Sequence, residues 1–446
     1  MTRPGRLAFV LILICVAATS FGFDVGGYLD NTSGYRSPPV GGAASDGLVQ
    51  RTTLALWMRH EFGEWTLDAT GSYTYTPLFP LILDVDHLTL SADIVATEAG
   101  ATTLEATFGR ARYVDFTRNV LDHTLDGLKL QIDRGTNNFR FDLATSALVI
   151  TPRYRIVEVA TAESGQTGDE TQEERVRLIG PPGLVVGFEY RLLEALAGQD
   201  LTFAANALQD LRRDSAFTPV GTELFDPTAV GRFDRQYLTA GVGGSLAPGL
   251  FHRTYYVLNT GSRLDYVPDS GSGTGSSYQY EPVLAHMAGT ELTWFLPDVM
   301  SSRARLFGLY SSGETERSEV DDRFVPISAS AYSDVFSLQP GNSAHVGLSY
   351  SMRPLADTGS DVLQTELRSV TYFRSTGGGA VSEPGVDPTT TGAYVGTDAN
   401  LVVTVLPFSD LRIVLRGGVF LPNANVMGPN NDTVDYQATL QGVLRF

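Results

Sequence analysis

The sequence predicts an all-β chain: a transmembrane antiparallel up-and-down β-barrel of about 18 strands, with 16 also compatible. Three observations carry the prediction. The last fourteen residues alternate apolar and polar side chains without a break. The first twenty read as an export segment, and no later apolar run is long enough for a membrane helix. Between them, strand-like segments are joined by links that alternate between short and long.

At the carboxy-terminus, Val434, Tyr436, Ala438, Leu440, Leu444 and Phe446 share one face of an extended strand, with Asp435, Gln437, Thr439, Gln441 and Arg445 on the other. A strand has a side-chain period of two, so this one separates an oily from a wet environment. At the amino-terminus, Arg3 and Arg6 precede the apolar run Leu7 to Val16, and Ala18-Thr19-Ser20 supplies small residues for cleavage. Residues 1–20 are therefore expected to be a signal peptide and 21–446 a single barrel domain. The run is shorter than the roughly 20 apolar residues of a membrane anchor. The one cysteine, Cys15, follows Ile14 rather than a small residue, which argues against lipidation and leaves a mature chain without disulfides.

The strands follow in order. Asp24 to Asp30 opens the barrel and is followed by a Gly, Ser and Pro-rich stretch to Gly47. Leu48 to His60 and Trp65 to Tyr75 flank the tight turn at Phe62-Gly63, with Trp65 and Tyr75 placed for two interfacial girdles. Pairs then recur near 81–95 and 101–110, 127–133 and 138–150, 184–193 and 199–211, 234–246 and 250–261, 280–296 and 301–312, 343–353 and 361–374, and 391–407 and 410–421. Within pairs the links are compact, as at Ala247-Pro248-Gly249. Between pairs they are long and polar: Thr151 to Pro182, Arg213 to Gly231, Gly261 to Ser277, Gly313 to Gly341 and Ser375 to Thr390. Acidic runs in them, such as Glu314, Glu316, Glu319, Asp321 and Asp322, read as solvated loops or as sites for divalent bridging to lipid.

The closing strand with its terminal Phe446 resembles that of bacterial outer-membrane barrels. The resemblance implies an outer-membrane address, contact with outer-membrane lipid, short periplasmic turns, long extracellular loops, and recognition by the barrel-assembly machinery through that strand. Aromatics and glycine are abundant, lysine occurs once, at Lys129, and the net charge of −18 disfavours a nucleic-acid partner.

A barrel of this size leaves an aqueous lumen, and the inward faces carry charge. Alternation puts Arg412 and Arg416, Arg140 and Asp142, Arg303 and Arg305, and Glu366, Arg368 and Arg374 inside. The segment from Gly109 through Arg110, Arg112, Asp115 and Arg118 to Asp122, Asp126, Gly127 and Lys129 resembles the constriction-loop region of porins, which implies a loop folded into the lumen. An ordinary surface loop with a short helix fits it equally. If the segment folds inward, its acids Asp115, Asp122 and Asp126 are expected to face the arginines of the far wall. The expected pore-lining set is therefore Arg112, Asp115, Arg118, Asp122, Asp126, Lys129, Arg140, Arg303, Arg305, Arg368, Arg412 and Arg416. The stretch Gly392 to Asn423, with Gly396-Thr397-Asp398 and Gly417-Gly418-Val419-Phe420-Leu421-Pro422, is faintly similar to alginate-export and carbohydrate porins.

The expected function is passive diffusion of small polar solutes or ions, in a chain that could form a homotrimer. A surface-exposed structural or adhesin barrel and a fatty-acid-type transporter are the alternatives. Catalysis is not expected: Asp84-Val85-Asp86-His87, and His345 with Ser343 and Ser349, lack the surrounding motifs of barrel enzymes. No cofactor is implied, and the Asn430-Asn431-Asp432 turn with Asp435 reads as a turn rather than a metal site.

Overall fold

The computed structural model describes residues 22–37, 47–77, 80–94, 102–145, 183–211, 233–268, 276–313, 320–328, 332–336, 338–356, 361–377, 379, 381, 385–428 and 433–446. The expected signal peptide, the loops 151–182 and 213–231 and the turn at 430–432 lie outside these residues.

Eighteen strands form one sheet: β1 (Asp24–Arg36), β2 (Leu48–Phe62), β3 (Trp65–Tyr75), β4 (Ile82–Asp93), β5 (Thr102–Val114), β6 (Asp122–Arg134), β7 (Asn137–Thr145), β8 (Gly183–Leu196), β9 (Gln199–Asp210), β10 (Phe233–Ala247), β11 (Leu250–Pro268), β12 (Ser276–Leu296), β13 (Ser302–Ser311), β14 (Ala344–Met352), β15 (Leu363–Phe373), β16 (Tyr394–Phe408), β17 (Leu411–Pro422) and β18 (Asp435–Arg445). Every strand pairs antiparallel with its sequence neighbours, and β1 pairs with β18, so the sheet closes without an edge. Closure gives every strand a neighbour on both sides, as a spanning sheet in lipid requires.

The closing seam sits higher than expected. Strand β1 continues to Arg36, and β18 pairs with residues 28–36 of it, from Tyr28↔Arg445 to Arg36↔Gln437. Asn31, Thr32 and Ser33 weaken the apolar alternation there, but their backbone is paired on both sides.

Side chains alternate across the wall as the pattern demands. Leu440, Leu444, Leu415, Leu367 and Leu306 are exposed on the outer surface, while Thr439, Asp398, Asn400 and Ser349 are buried on the inner one. At the end of the wall carrying the short turns, Phe62, Trp65, Trp294 and Phe446 are exposed; toward the other end stand Tyr35, Tyr75, Tyr310 and Tyr436. Tyr35 and Tyr436 stack across the seam with centroids 5.8 Å apart. Two aromatic belts bounding a leucine-rich band are what two lipid–water interfaces select.

Two long connections depart from the surface-loop expectation. In the one from 313 to 341, the described residues 320–328, 332–336 and 338–341 pack inside the barrel, where Phe324, Ile327 and Leu338 are fully buried. Part of 375–390 is also buried, through Val381 and Val386. In both, apolar residues scattered through a polar segment find a dry surface only by turning inward. The connection expected at 261–277 is shorter than expected, because β11 and β12 extend to Pro268 and from Ser276.

Candidate functional site: a narrowed lumen

The hairpin of β5 and β6 leaves the wall partway along its length. The β4–β5 ladder stops at Leu88↔Arg110 and the β6–β7 ladder at Asp126↔Thr145, yet β5 and β6 stay paired to Val114↔Asp122. The departure point is the glycine pair Gly109↔Gly127. Gly109 has φ +121°, and a Cβ there would lie 2.1 Å from the Leu88 carbonyl oxygen; one on Gly127 would lie 2.1 Å from that of Leu143. Only glycine permits this backbone and this approach.

Beyond the bend both faces of the hairpin are inside. Ala111, Tyr113 and Leu125, with Val120 and Leu121 of the 115–121 turn, join an apolar cluster with Tyr237, Tyr255, Met287 and Leu309 from strands β10 to β13. The neighbours of three of those wall residues, Leu238, Tyr256 and Tyr310, are exposed on the outside, so the cluster fills lumen. Phe116 at the tip reaches Gly241 of β10, where a Cβ would meet its ring at 2.4 Å, and its carbonyl accepts a 3.1 Å hydrogen bond from Arg253 Nη1 of β11.

The other face of the hairpin is charged. Arg112 grips Asp122 through two bonds, Nε to Oδ1 at 2.5 Å and Nη2 to Oδ2 at 2.7 Å, and its side chain is 66% exposed. Arg110 lies 3.5 Å from Asp126 and 3.9 Å from Asp84 of β4.

Asp115 is committed to the turn itself. Its Oδ2 accepts from the amide and hydroxyl of Thr117 at 2.7 and 2.6 Å, and its Oδ1 from the amides of Val120 and Leu121 at 3.2 and 2.8 Å. Burial pushes its pKa above the ordinary carboxylate range, and these donors pull it back. An Asp115→Ala variant should leave three buried amides unsatisfied at about 1–3 kcal/mol each. Hydrogen exchange of Thr117, Val120 and Leu121 should accelerate sharply, with the wall strands unchanged; unaltered protection of those amides would contradict this role.

A second set of inward residues, 320–328, 332–336 and 338–343, meets the first. Asp321 bonds Arg235 at 2.8 Å and lies 3.8 Å from Arg263, with Arg235 itself 0% exposed. Tyr237 donates to the Val325 carbonyl at 2.6 Å, and the amides of Ile327 and Ser328 both donate to the Val120 carbonyl, at 2.8 and 3.0 Å. Tyr332 hydrogen-bonds Asn119, whose amide nitrogen in turn donates to Tyr255 at 2.5 Å. Residues 332–336 meet the other wall. The Tyr332 carbonyl accepts from Arg368 at 3.0 Å, that of Val335 from Arg36 at 2.9 Å and that of Phe336 from Tyr372 at 2.9 Å. The Phe336 ring stacks on Phe420 at 3.8 Å in a second apolar cluster.

The remaining expected pore residues fall into three groups. Lys129 and Arg140 prop the hairpin from below: Lys129 donates to the Arg112 carbonyl and sits 4.5 Å over the Tyr113 ring, while Arg140 pairs with Asp142 and Glu189, both at 3.0 Å, and donates to the Val114 carbonyl. Arg305 pairs with Glu291 and Arg368 with Glu366, each at 2.8 Å. Arg303 and Arg412 are exposed on the inner wall, Arg416 bonds Gln441 at 2.9 Å, and Arg118 is exposed with φ 60°.

The acids of the hairpin therefore do not face the far-wall arginines as expected. Asp122 and Asp126 are paired within their own hairpin and Asp115 serves its own turn. Arg253, Arg235, Asp321 and Tyr332 were not anticipated. Arg253 shares the inward alternation of Tyr255 and Val257, which could have placed it on the lumen wall; Asp321 is indistinguishable in sequence from the acids beside it. His87 hydrogen-bonds Thr89 at 2.9 Å, while His345 is a buried ring 4.1 Å from that of Tyr332.

No protein-family model and no curated protein matches the chain. Solved structures do. Pseudomonas aeruginosa OccK3 (OpdO) superposes with a TM-score of 0.57 at 11% identity, covering 95% of this chain and 96% of its own. OccK2 (OpdF) of the same organism, solved in complex with glucuronate, gives 0.56 at 12% identity, covering 95% and 98%. Its outer membrane protein opdK gives 0.55 at 11% identity, also covering 95% and 98%. At such identities the likeness is one of fold, along the whole barrel.

Proposed function

We propose that the protein is an outer-membrane channel for passive diffusion of small polar or charged solutes. The observation that carries this is a closed 18-stranded wall whose lumen is narrowed by two sets of inward residues that pack against β10 to β13 and against β1 and β15 to β17. A wall of this circumference is wide enough for water to pass. Inward groups that stay exposed, Trp57, Arg59, Arg303 and Arg412, mark where water meets it. The leucine band between aromatic belts supports the membrane address. The fold shared with a barrel solved with bound glucuronate supports small carboxylates and sugars as cargo.

Arg412 and Arg416 face this remaining lumen, and among the described residues neither has a carboxylate within salt-bridge distance. Fixed positive charge in a narrow lumen raises local anion concentration. Replacing both with Gln should move the reversal potential under a salt gradient toward cation preference; an unchanged reversal potential would remove them from the selectivity account. Liposome swelling with solutes graded in size and charge tests the diffusion reading itself.

A further inference from the structure

Trp57 is the one tryptophan on the inner wall. Of the three in the chain, Trp65 and Trp294 lie on the lipid face. The register of β2 sets Trp57 opposite Gly26 of β1 and Thr70 of β3, between the outward positions Leu56 and Met58. This indole is 39% exposed. It is also held close to the wall: a Cβ at Gly26 would meet the ring at 2.6 Å. The missing side chain lets the indole settle against the β1 backbone and present its remaining surface to water.

The surroundings are polar and of mixed character. On the same inward face, Thr70 pairs in register with His87 of β4, Arg59 lies opposite Asp68 of β3, and Tyr28 stands one inward position along β1 from Gly26. A flat apolar surface rimmed by a guanidinium, a carboxylate, an imidazole and hydroxyls fits a solute with one apolar face and hydrogen-bonding edges. A pyranose ring has that form: its axial C–H bonds pack on the indole while its equatorial hydroxyls reach the rim. A purely aromatic solute would set apolar edges against these polar groups, and an acyclic polyol offers no flat face.

Resting on the channel reading above, we infer that Trp57, with Arg59, Asp68, Thr70, His87 and Tyr28 around it, forms a pyranose-binding subsite on the β1–β4 wall, where sugars or uronic acids pause on their way through.

A Trp65→Phe/Trp294→Phe background leaves Trp57 as the sole indole, and its emission reports the subsite directly. Titration with methyl β-D-glucopyranoside or glucuronate should shift that emission to the blue and protect it from acrylamide, while sorbitol should do neither. In planar bilayers the same pyranosides should interrupt the current. Trp57→Ala should shorten those interruptions by roughly three- to tenfold, what an aromatic contact of ordinary strength contributes, and Trp57→Phe should recover part of the loss. Emission that ignores the pyranosides, or answers sorbitol equally, overturns the subsite, as do interruptions of equal length in Trp57→Ala and the parent. Steady conductance without any sugar response sinks the subsite alone; a sugar response in a barrel that never conducts sinks the channel reading and leaves the subsite standing.

Discussion

An Asp321→Ala variant should release the segment 320–328 from the wall and give a larger, flickering conductance. Asp321 is the anchor of that segment: it bonds Arg235, approaches Arg263, and its backbone pairs with Pro282 and Leu284 of β12 at 2.9 and 3.0 Å. Removing the carboxylate takes from the fully buried guanidinium of Arg235 a counter-charge 2.8 Å away, a change that costs about 3–5 kcal/mol in comparable buried pairs. The ladders of β10, β11 and β12 do not depend on this contact, so the barrel should assemble normally. The segment is therefore where the cost is relieved. An Arg235→Ala/Asp321→Ala double variant should recover part of the stability, because the buried guanidinium is removed together with the carboxylate that faced it. Single-channel recording distinguishes the cases: a conductance and noise level equal to the parent's in Asp321→Ala would show that the segment is held by other means.

Gly109→Val should have the larger effect on pore width. The new Cβ would fall 2.1 Å from the Leu88 carbonyl oxygen, in a backbone conformation with φ +121° that branched side chains do not adopt. Strain of that kind costs on the order of 1–3 kcal/mol before the clash is counted. The hairpin can relieve both by staying in the wall and continuing its pairing with β4, which withdraws Phe116 from Gly241 and opens the lumen. Gly127→Val, blocked by the Leu143 carbonyl, should act in the same direction. Gly442→Val is the control, since nothing lies within 4 Å of a Cβ at that lipid-facing position. A Gly109→Val protein with parental conductance and an intact barrel would mean that the hairpin does not set the width.

Much of the wall was legible in the sequence because lipid and water impose a period of two on every spanning strand. The closing strand, the short turns and the outward Leu440, Leu367 and Leu306 follow from that period alone. Alternation fails at residues 110–126 for a physical reason. Both faces of the hairpin tip lie inside the barrel, one against Tyr237 and Tyr255 and the other against the polar side of β4, so neither is selected for lipid. The strand continues where its lipid signature ends. The Gly109 and Gly127 positions marking the bend were visible, but their pairing was not, since it depends on register. The inward placement of 320–328, 332–336 and 338–343 was hidden differently. Its apolar residues have no regular spacing, and its acids look like those of any solvated loop until Asp321 meets Arg235 across the wall. The same dependence on partners explains why the charges of Asp115, Asp122 and Asp126 could be found in sequence while their ownership by the hairpin could not.

The central claim is that the inward segments narrow an open barrel rather than seal it. Recording the purified protein in planar bilayers tests this most directly. The account predicts small, steady, ohmic openings that grow in both Gly109→Val and Asp321→Ala. A folded, membrane-inserted barrel that passes no current as the parent, whether or not either variant conducts, would contradict it.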